Sequence, residues 1–269
     1  MHLRGGGDWA NEFIRKAVDK NDLLLPVELA NQFHGELQRC LNQCQQEASG
    51  QQPELCHIKD RVKLRRHGPA VQMDVMQGPQ PSTKFYSVDM VPAIEIPRGN
   101  GKSDYYVAKP IKGSSSGSEN AWRKSFSLEE KNRLVTADDG NLCRKQIFRI
   151  LKVIRNREAG LTPLTSYHLK TVLFRKMDEL SGSAHWKIEC IGQRLMDVIG
   201  QLEKELANKY MPHYYIPEFN LLETIPPQTV DDMRYRLKRL MNSKEAMMQV
   251  LRQCVRVLIC ATCGSIRVL

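Results

Sequence analysis

The sequence predicts an α+β chain in which a strand-rich lobe is followed by a helical one. Two stretches of contrasting periodicity and one break between them carry that reading. Between residues 58 and 111 apolar and polar side chains alternate with the period of a half-buried strand. From residue 122 onward apolar residues recur at helical spacing, one face at a time. Between the two lies 112–120, rich in Gly and Ser, which reads as a lobe boundary.

Residues 8–20 read as a first helix, with Trp9, Phe13, Ile14 and Val18 at helical spacing. Leu25-Pro26 opens a longer one. Its apolar face, Val27, Leu29, Ala30, Phe33, Leu37 and Leu41, runs to a polar stretch near Ser49. In 58–65, Val62 and Leu64 alternate with Arg61, Lys63 and Arg65, which predicts a strand. Gly68-Pro69 breaks it, 70–75 reads as the next strand, and 78–82 as a loop. Residues 85–97 are rich in β-formers and read as one long strand, and 105–111 as a short one.

The helical part opens at 127–134, with Ser127 where a cap belongs and Glu129 and Glu130 where first-turn acids belong. Ile147, Ile150, Leu151 and Ile154 mark one face of a helix over 142–157. Amphipathic helices over 165–180 and 186–209 follow, then an extended Pro-containing segment, 214–222, and a basic helix over 230–254. These elements divide the chain into a strand lobe, 1–118, a helical lobe, 119–250, and an unassigned tail, 251–269.

Composition narrows the class. The net charge of +10 suits a protein that meets polyanions such as nucleic acid or nucleoside triphosphates, although solubility alone accounts for it equally well. The apolar runs are too short to cross a bilayer and the N-terminus has no apolar signal core, so no membrane is expected. Eight scattered cysteines in a chain with enough residues for a core read as reduced thiols. Cys260 and Cys263 form a lone C-x-x-C. Cys40 and Cys44, one helical turn apart, read as buried small hydrophobes rather than metal ligands. No P-loop, G-x-G-x-x-G, H-E-x-x-H or G-x-S-x-G motif is present.

Four features remain for chemistry. Asp89 sits among Val88, Met90, Val91 and Ile94, where an inward-facing carboxylate needs either a metal or a basic partner. Arg123, Lys124 and Ser125, with Ser127 and Glu130, place cations and hydroxyls at a strand-to-helix turn that welcomes phosphate or caps a helix. Lys152 lies beside the apolar face of its helix, able to reach into a cleft or to snorkel. Ser166-Tyr167-His168 opens a helix, where Tyr167 stacks on a base or simply fills core. His168 has no metal partners at ligand spacing and receives no role.

Six strings occur in one order: HGPAVQMDV, KFYSVDMVPAIEIP, AWRKSFSLEEKNRL, CRKQIFRILKVIRN, TSYHLKTVLF and YYIPEFNLL. Across residues 23–245 the chain resembles the Mab-twenty-one family, which includes cyclic GMP-AMP synthase and its zinc-free receptor relatives. The resemblance implies a bilobed nucleotidyltransferase fold, a mixed-sheet lobe followed by a helical lobe. It also implies ATP and GTP as substrates, magnesium or manganese as cofactor, and double-stranded RNA or DNA as activator. The setting it implies is innate immunity in the cytoplasm or nucleus.

On this resemblance Asp89 matches a metal-binding, catalytic acid, and Lys109 a lysine near the phosphates. Arg123, Lys124, Ser125, Ser127 and Glu130 match the stretch that contacts the guanine nucleotide, with Glu130 near the adenine nucleotide. Lys152 and Ser166 match ATP contacts, and Tyr167 the base-stacking aromatic. Two departures accompany these matches. The family's Gly-Ser loop and its following acid pair are absent from the residues before 23, where Gly5–Gly7 and Asp8 do not fit the pattern. The expectation is an N-terminally shortened chain or a paralogue without catalysis, and for this chain no cyclic dinucleotide synthesis. The zinc insert is also absent, since LVTADDGN precedes Cys143, so no zinc is expected. Two functions stay open: a nucleic-acid-activated cyclic dinucleotide synthase, or a non-catalytic protein binding nucleotide or a partner in development or signalling.

Overall fold

The computed structural model describes residues 14–21, 23–51, 62–67, 70–76, 84–99, 101–108, 121–135 and 142–252. The chain forms two units, Met1–Phe126 and Ser127–Leu269.

In the first unit, helix α1 (Pro26–Gln51) begins on Pro26, whose missing N–H and fixed φ suit a first helical turn. It lays buried Leu29 and Ala30 inward and packs on strands β1 (Val62–His67) and β2 (Ala70–Met76). Strand β3 (Lys84–Met90) completes an antiparallel sheet in the order β1-β2-β3. A second antiparallel sheet holds β4 (Ala93–Pro97), β5 (Ser103–Val107) and β6 (Arg123–Ser125). The stretch 85–97 is therefore two strands in two sheets, not one long strand. Pro92 explains the division: it offers no N–H to a ladder and restricts the residue before it. The β4–β5 turn needs left-handed backbone, which Gly99 (φ 75°) and Gly101 (φ 73°) supply.

Two further expectations shift. Helical structure before α1 stops at residue 15 among the described residues, and 8–13 lie outside them. Asp19 Oδ1 accepts the N–H groups of Asn21 and Leu23, each at 2.9 Å, a local turn that competes with helix. Strand β5 ends at Val107, and 109–111 lie outside the described residues.

The second unit is helical: α2 (Ser127–Val135), α3 (Arg144–Arg157), α4 (Ser166–Glu179), α5 (Ile191–Ala207) and α6 (Pro227–Asn242). Their inward stripes form one core around Ile147, Ile154, Phe174, Trp186, Ile199 and Leu237. Trp186 is fully buried and donates its indole N–H to the Leu180 carbonyl at 2.6 Å. That anchor makes 183–190 two short 3-10 turns instead of the start of a helix over 186–209. The helix expected over 230–254 begins earlier, at Pro227, and is interrupted at Ser243. There Ser243 Oγ accepts the Ala246 N–H at 3.1 Å, capping a fresh helical stretch, 244–252.

Candidate functional site

Among the first-unit residues, Asp89 is exposed on β3 opposite Gln72. Its carboxylate is solvated here and does not require a buried partner. The buried acid of this sheet is Asp74, which sequence reasoning did not single out and which is only 2% exposed. Asp74 lies opposite Ser87, so strand alternation puts Gln72, Asp74, Ser87 and Asp89 on one face. Ser87 Oγ donates to Asp74 at 2.5 Å, and the Arg65 guanidinium stands 3.5 Å from the same carboxylate. The one available signal was an acid inside the apolar strand PAVQMDV.

A magnesium or manganese ion needs several oxygen ligands converging on one point. Among the described residues no group of three or more His, Cys, Asp or Glu side chains converges in this way. The Asp74 carboxylate is engaged by Ser87 and Arg65, and Asp89 is one exposed carboxylate. The described residues alone do not assemble a complete ligand set for the ion, and no step is routed through it.

Arg123, Lys124 and Ser125 lie on strand β6, with Ser125 opposite Tyr105. Lys124 Nζ sits 2.7 Å from Asp104 and 5.5 Å from the Phe126 ring centre. Hydrogen bonds from Arg98, then from Lys124, hold the Asp104 carboxyl below the usual carboxylate range. Lys109 lies outside the described residues.

The second unit gathers more of the expected residues around the first turn of α4. Thr165 caps that helix, its Oγ1 accepting the His168 N–H while His168 Nδ1 accepts the Thr165 N–H at 2.8 Å. This is a capping box with a histidine where Glu or Gln is usual. Helical spacing then sets Ser166, Tyr167 and Lys170 on one face. Arg155 of α3 donates to Ser166 Oγ at 3.2 Å and to the Leu164 carbonyl at 3.4 Å. Lys152, one turn earlier on α3, holds its ammonium 5.3 Å from the Phe148 ring centre. Glu130 of α2 is buried and receives Lys170 Nζ at 2.5 Å, while Ser127 opens α2 in an exposed position. Tyr167 Oη lies 3.3 Å from His213 Nδ1. Close by in charge, Tyr215 has its phenol pushed up to about 12, first by burial and then by the negative charge of Glu130.

Of the residues gathered here, Glu130, Ser166 and Tyr167 were singled out in the sequence, whereas Arg155 as their neighbour, Lys170, His213 and Tyr215 were not. Lys170 was legible as the residue one turn after Ser166. The others come from distant parts of the chain. The sequence also sets Arg144, Lys145, Arg149 and Arg155 on the helix over 142–157, a basic surface on which a polyanion would be expected to bind. Of these, Arg144 is buried against the Trp186 ring at 5.3 Å, and Arg155 turns toward Ser166. Arg149 remains exposed. Cys40 and Cys44 are exposed free thiols, not buried: they continue the face of Phe33 and Leu37, but among the described side chains of α1 none beyond Ala30 is buried.

The α4 arrangement is suited to an anion bearing an aromatic group. A helix N-terminus and the Arg155 cation both favour negative charge, and Tyr167 offers a ring one residue away.

Two family descriptions match the chain in tandem: the Mab-21 protein nucleotidyltransferase domain over residues 8–135 and the Mab-21 protein HhH/H2TH-like domain over residues 143–239. The chain belongs to the Mab-21 (Mab-twenty-one) family. The strand unit followed by a helical one is accordingly the mixed α+β arrangement of a Mab-21 nucleotidyltransferase. Among relatives, this Mab-21 chain is 32% identical over 207 residues to "Cyclic GMP-AMP synthase-like receptor 3" of Stylophora pistillata. That match covers 74% of this chain and 58% of the relative. It is 34% identical over 114 residues to "Protein mab-21-like" of Aedes aegypti, covering 42% of this chain and 30% of that protein. The Mab-21 chain thus spans well under two thirds of the length of either relative. No helix among the described residues is long and apolar enough to cross a membrane.

Proposed function

We propose that this Mab-21 chain binds a purine nucleoside triphosphate, ATP or GTP, at the first turn of α4. In this reading Tyr167 stacks on the base, while Lys152, Ser166 and Lys170 approach the phosphates and Glu130 orients Lys170. The observation that carries it is the meeting of Arg155 with Ser166 beside Tyr167 at a helix N-terminus, which couples an anion-favouring point to a stacking surface. For the whole protein, the likeness to a cyclic GMP-AMP synthase-like receptor supports cyclic dinucleotide synthesis in innate immunity, on sensing double-stranded RNA or DNA in the cytoplasm. Arg123, Lys124, Ser125, Ser127 and Lys109 belong to the nucleotide contacts of that reading, and Asp89 to its divalent-metal chemistry.

A second reading, binding without catalysis, is favoured by one observation: the buried acid on the Asp89 face is engaged by Ser87 and Arg65. Calorimetry with ATP tests the binding site itself. Base–aromatic stacking contributes about 1–3 kcal/mol, so Tyr167→Ala weakens ATP by roughly tenfold or more. Equal affinity of wild type and Tyr167→Ala rejects the site. Incubation with ATP, GTP, magnesium and long double-stranded RNA, read by mass spectrometry, separates the two readings. A cyclic product that disappears in Asp89→Ala decides for catalysis.

A further inference from the structure

A tyrosine on the first turn of a helix turns about two side-chain bonds, so stacking on a base costs ordering unless the ring is already held. Tyr167 is held. His213, from the segment that follows α5, lies against it with ring centroids 4.8 Å apart and planes at 37°. The His213 Nδ1 atom is 3.3 Å from the phenol oxygen.

The imidazole is in turn fixed to its own backbone. Its Nδ1 accepts the N–H groups of Tyr215 at 3.2 Å and Ile216 at 3.1 Å. An atom that accepts backbone N–H groups presents a lone pair, so the ring proton resides on Nε2 and the Tyr167 hydroxyl is the donor toward Nδ1. The His213 N–H is bound to the Phe219 carbonyl at 2.7 Å, which closes the segment behind the ring. The Tyr215 ring lies with its centroid 6.4 Å away, its plane tilted by 59°.

We propose that His213 is a positioning residue for Tyr167: it holds the phenol ring at one tilt, ready to receive the purine of a nucleoside triphosphate. This rests on the nucleotide reading above and adds a residue to it. His213 acts through Tyr167, so its contribution belongs to the base and not to the phosphates.

Calorimetry on the full 269-residue chain tests this with ATP and, as a base-free probe, inorganic triphosphate. The informative variant is His213→Asn. An Asn side-chain oxygen can accept the same pair of backbone N–H groups in an Asx turn, but brings no ring to Tyr167. His213→Asn keeps the wild-type melting temperature and the wild-type affinity for triphosphate. It weakens ATP by about two- to tenfold, the fold-change of an aromatic pair contact. In a Tyr167→Ala background the same substitution weakens ATP no further. Wild-type ATP affinity in His213→Asn overturns the proposal. So does an equal loss for ATP and triphosphate, or an additional loss in the Tyr167→Ala background. A wild-type chain that binds no ATP overturns the nucleotide reading and this inference together, whereas an effect of Tyr167→Ala without one of His213→Asn overturns this inference alone.

Discussion

Removing the His168 ring should cost the helical unit both the N-cap of α4 and one fastening of the segment that follows α5. His168 is 6% exposed. Its Nδ1 accepts the Thr165 N–H at 2.8 Å, and its Nε2 donates to the Leu221 carbonyl at 3.1 Å. A buried group left without its partner costs about 1–3 kcal/mol. Thr165 is exposed, so water recovers part of its loss, and the Leu221 carbonyl bears more. With the space left by the ring, His168→Ala costs about 2–4 kcal/mol, which lowers the melting temperature by roughly 5–15 °C. His168→Gln keeps an acceptor for the Thr165 N–H in the usual capping-box form and loses only the Leu221 bond, about 1–2 kcal/mol. The pH dependence gives a second readout. Burial pushes the His168 pKa below 6.5, against the opposing pull of the Leu221 carbonyl. The unfolded chain therefore binds this proton before the folded one does. The stabilisation is complete above 6.5 and is lost as pH falls through 6.5 toward the lower folded value. Melting curves followed by circular dichroism, above and below that point, decide the matter. If His168→Gln loses as much stability as wild type on acidification, the assignment of this pH dependence to His168 is wrong.

Two other perturbations separate structural from surface charge. Glu205 is buried, pairs with Arg175 at 2.5 Å, and Arg175 also donates to the Pro212 carbonyl. Arg175→Ala leaves a buried carboxylate unpaired and costs about 3–5 kcal/mol, with Glu205→Leu restoring much of it in the double variant; chemical denaturation measures both. Polyanion binding should respond to Arg149 and not to Arg144, because only the former is exposed. In gel-shift titrations on double-stranded RNA, Arg149→Glu weakens binding and makes the salt slope shallower by about one unit per lost phosphate contact, whereas Arg144→Ala lowers the melting temperature instead.

The elements themselves were readable where local pattern decides them. Alternation located β1 and β2, and helical spacing located α3, α4 and the body of α5. Local pattern failed where one residue overrides its neighbours. Pro92 sits among β-formers yet divides two sheets, and the buried Trp186 converts the start of a helix into 3-10 turns. The site shows the same division. Tyr167 and Ser166 were visible as a motif. The role of His168 was not, because the position it fills is usually held by a capping Glu or Gln. Arg144 and Arg155 look alike in a basic stripe, and only Trp186 and Ser166, tens of residues and eleven residues away respectively, show that neither is simply solvated. Asp74 is equally opaque, since its burial depends on Arg65 and Ser87 from the two flanking strands.

The segment 211–222 links these observations, because α4 both carries the proposed ligand contacts and fastens the segment that supports them. Arg175 of α4 reaches the Pro212 carbonyl, Asp178 of α4 accepts the Tyr214 hydroxyl at 2.6 Å, and His168 of α4 holds the Leu221 carbonyl. Asn220 closes the segment on itself, its Oδ1 accepting the Met211 N–H at 2.9 Å and the Leu222 N–H at 3.1 Å. His213 stands within that loop and faces Tyr167. Opening of the segment therefore removes the support of Tyr167 in the same event. Affinity for a base then scales with the fraction of molecules in which the segment is closed. On the proposed nucleotide reading, Arg175 and His168 need touch no ligand to influence binding: Arg175→Ala and His168→Ala should weaken ATP more than inorganic triphosphate in calorimetry, and an equal loss for the two ligands would refute this coupling.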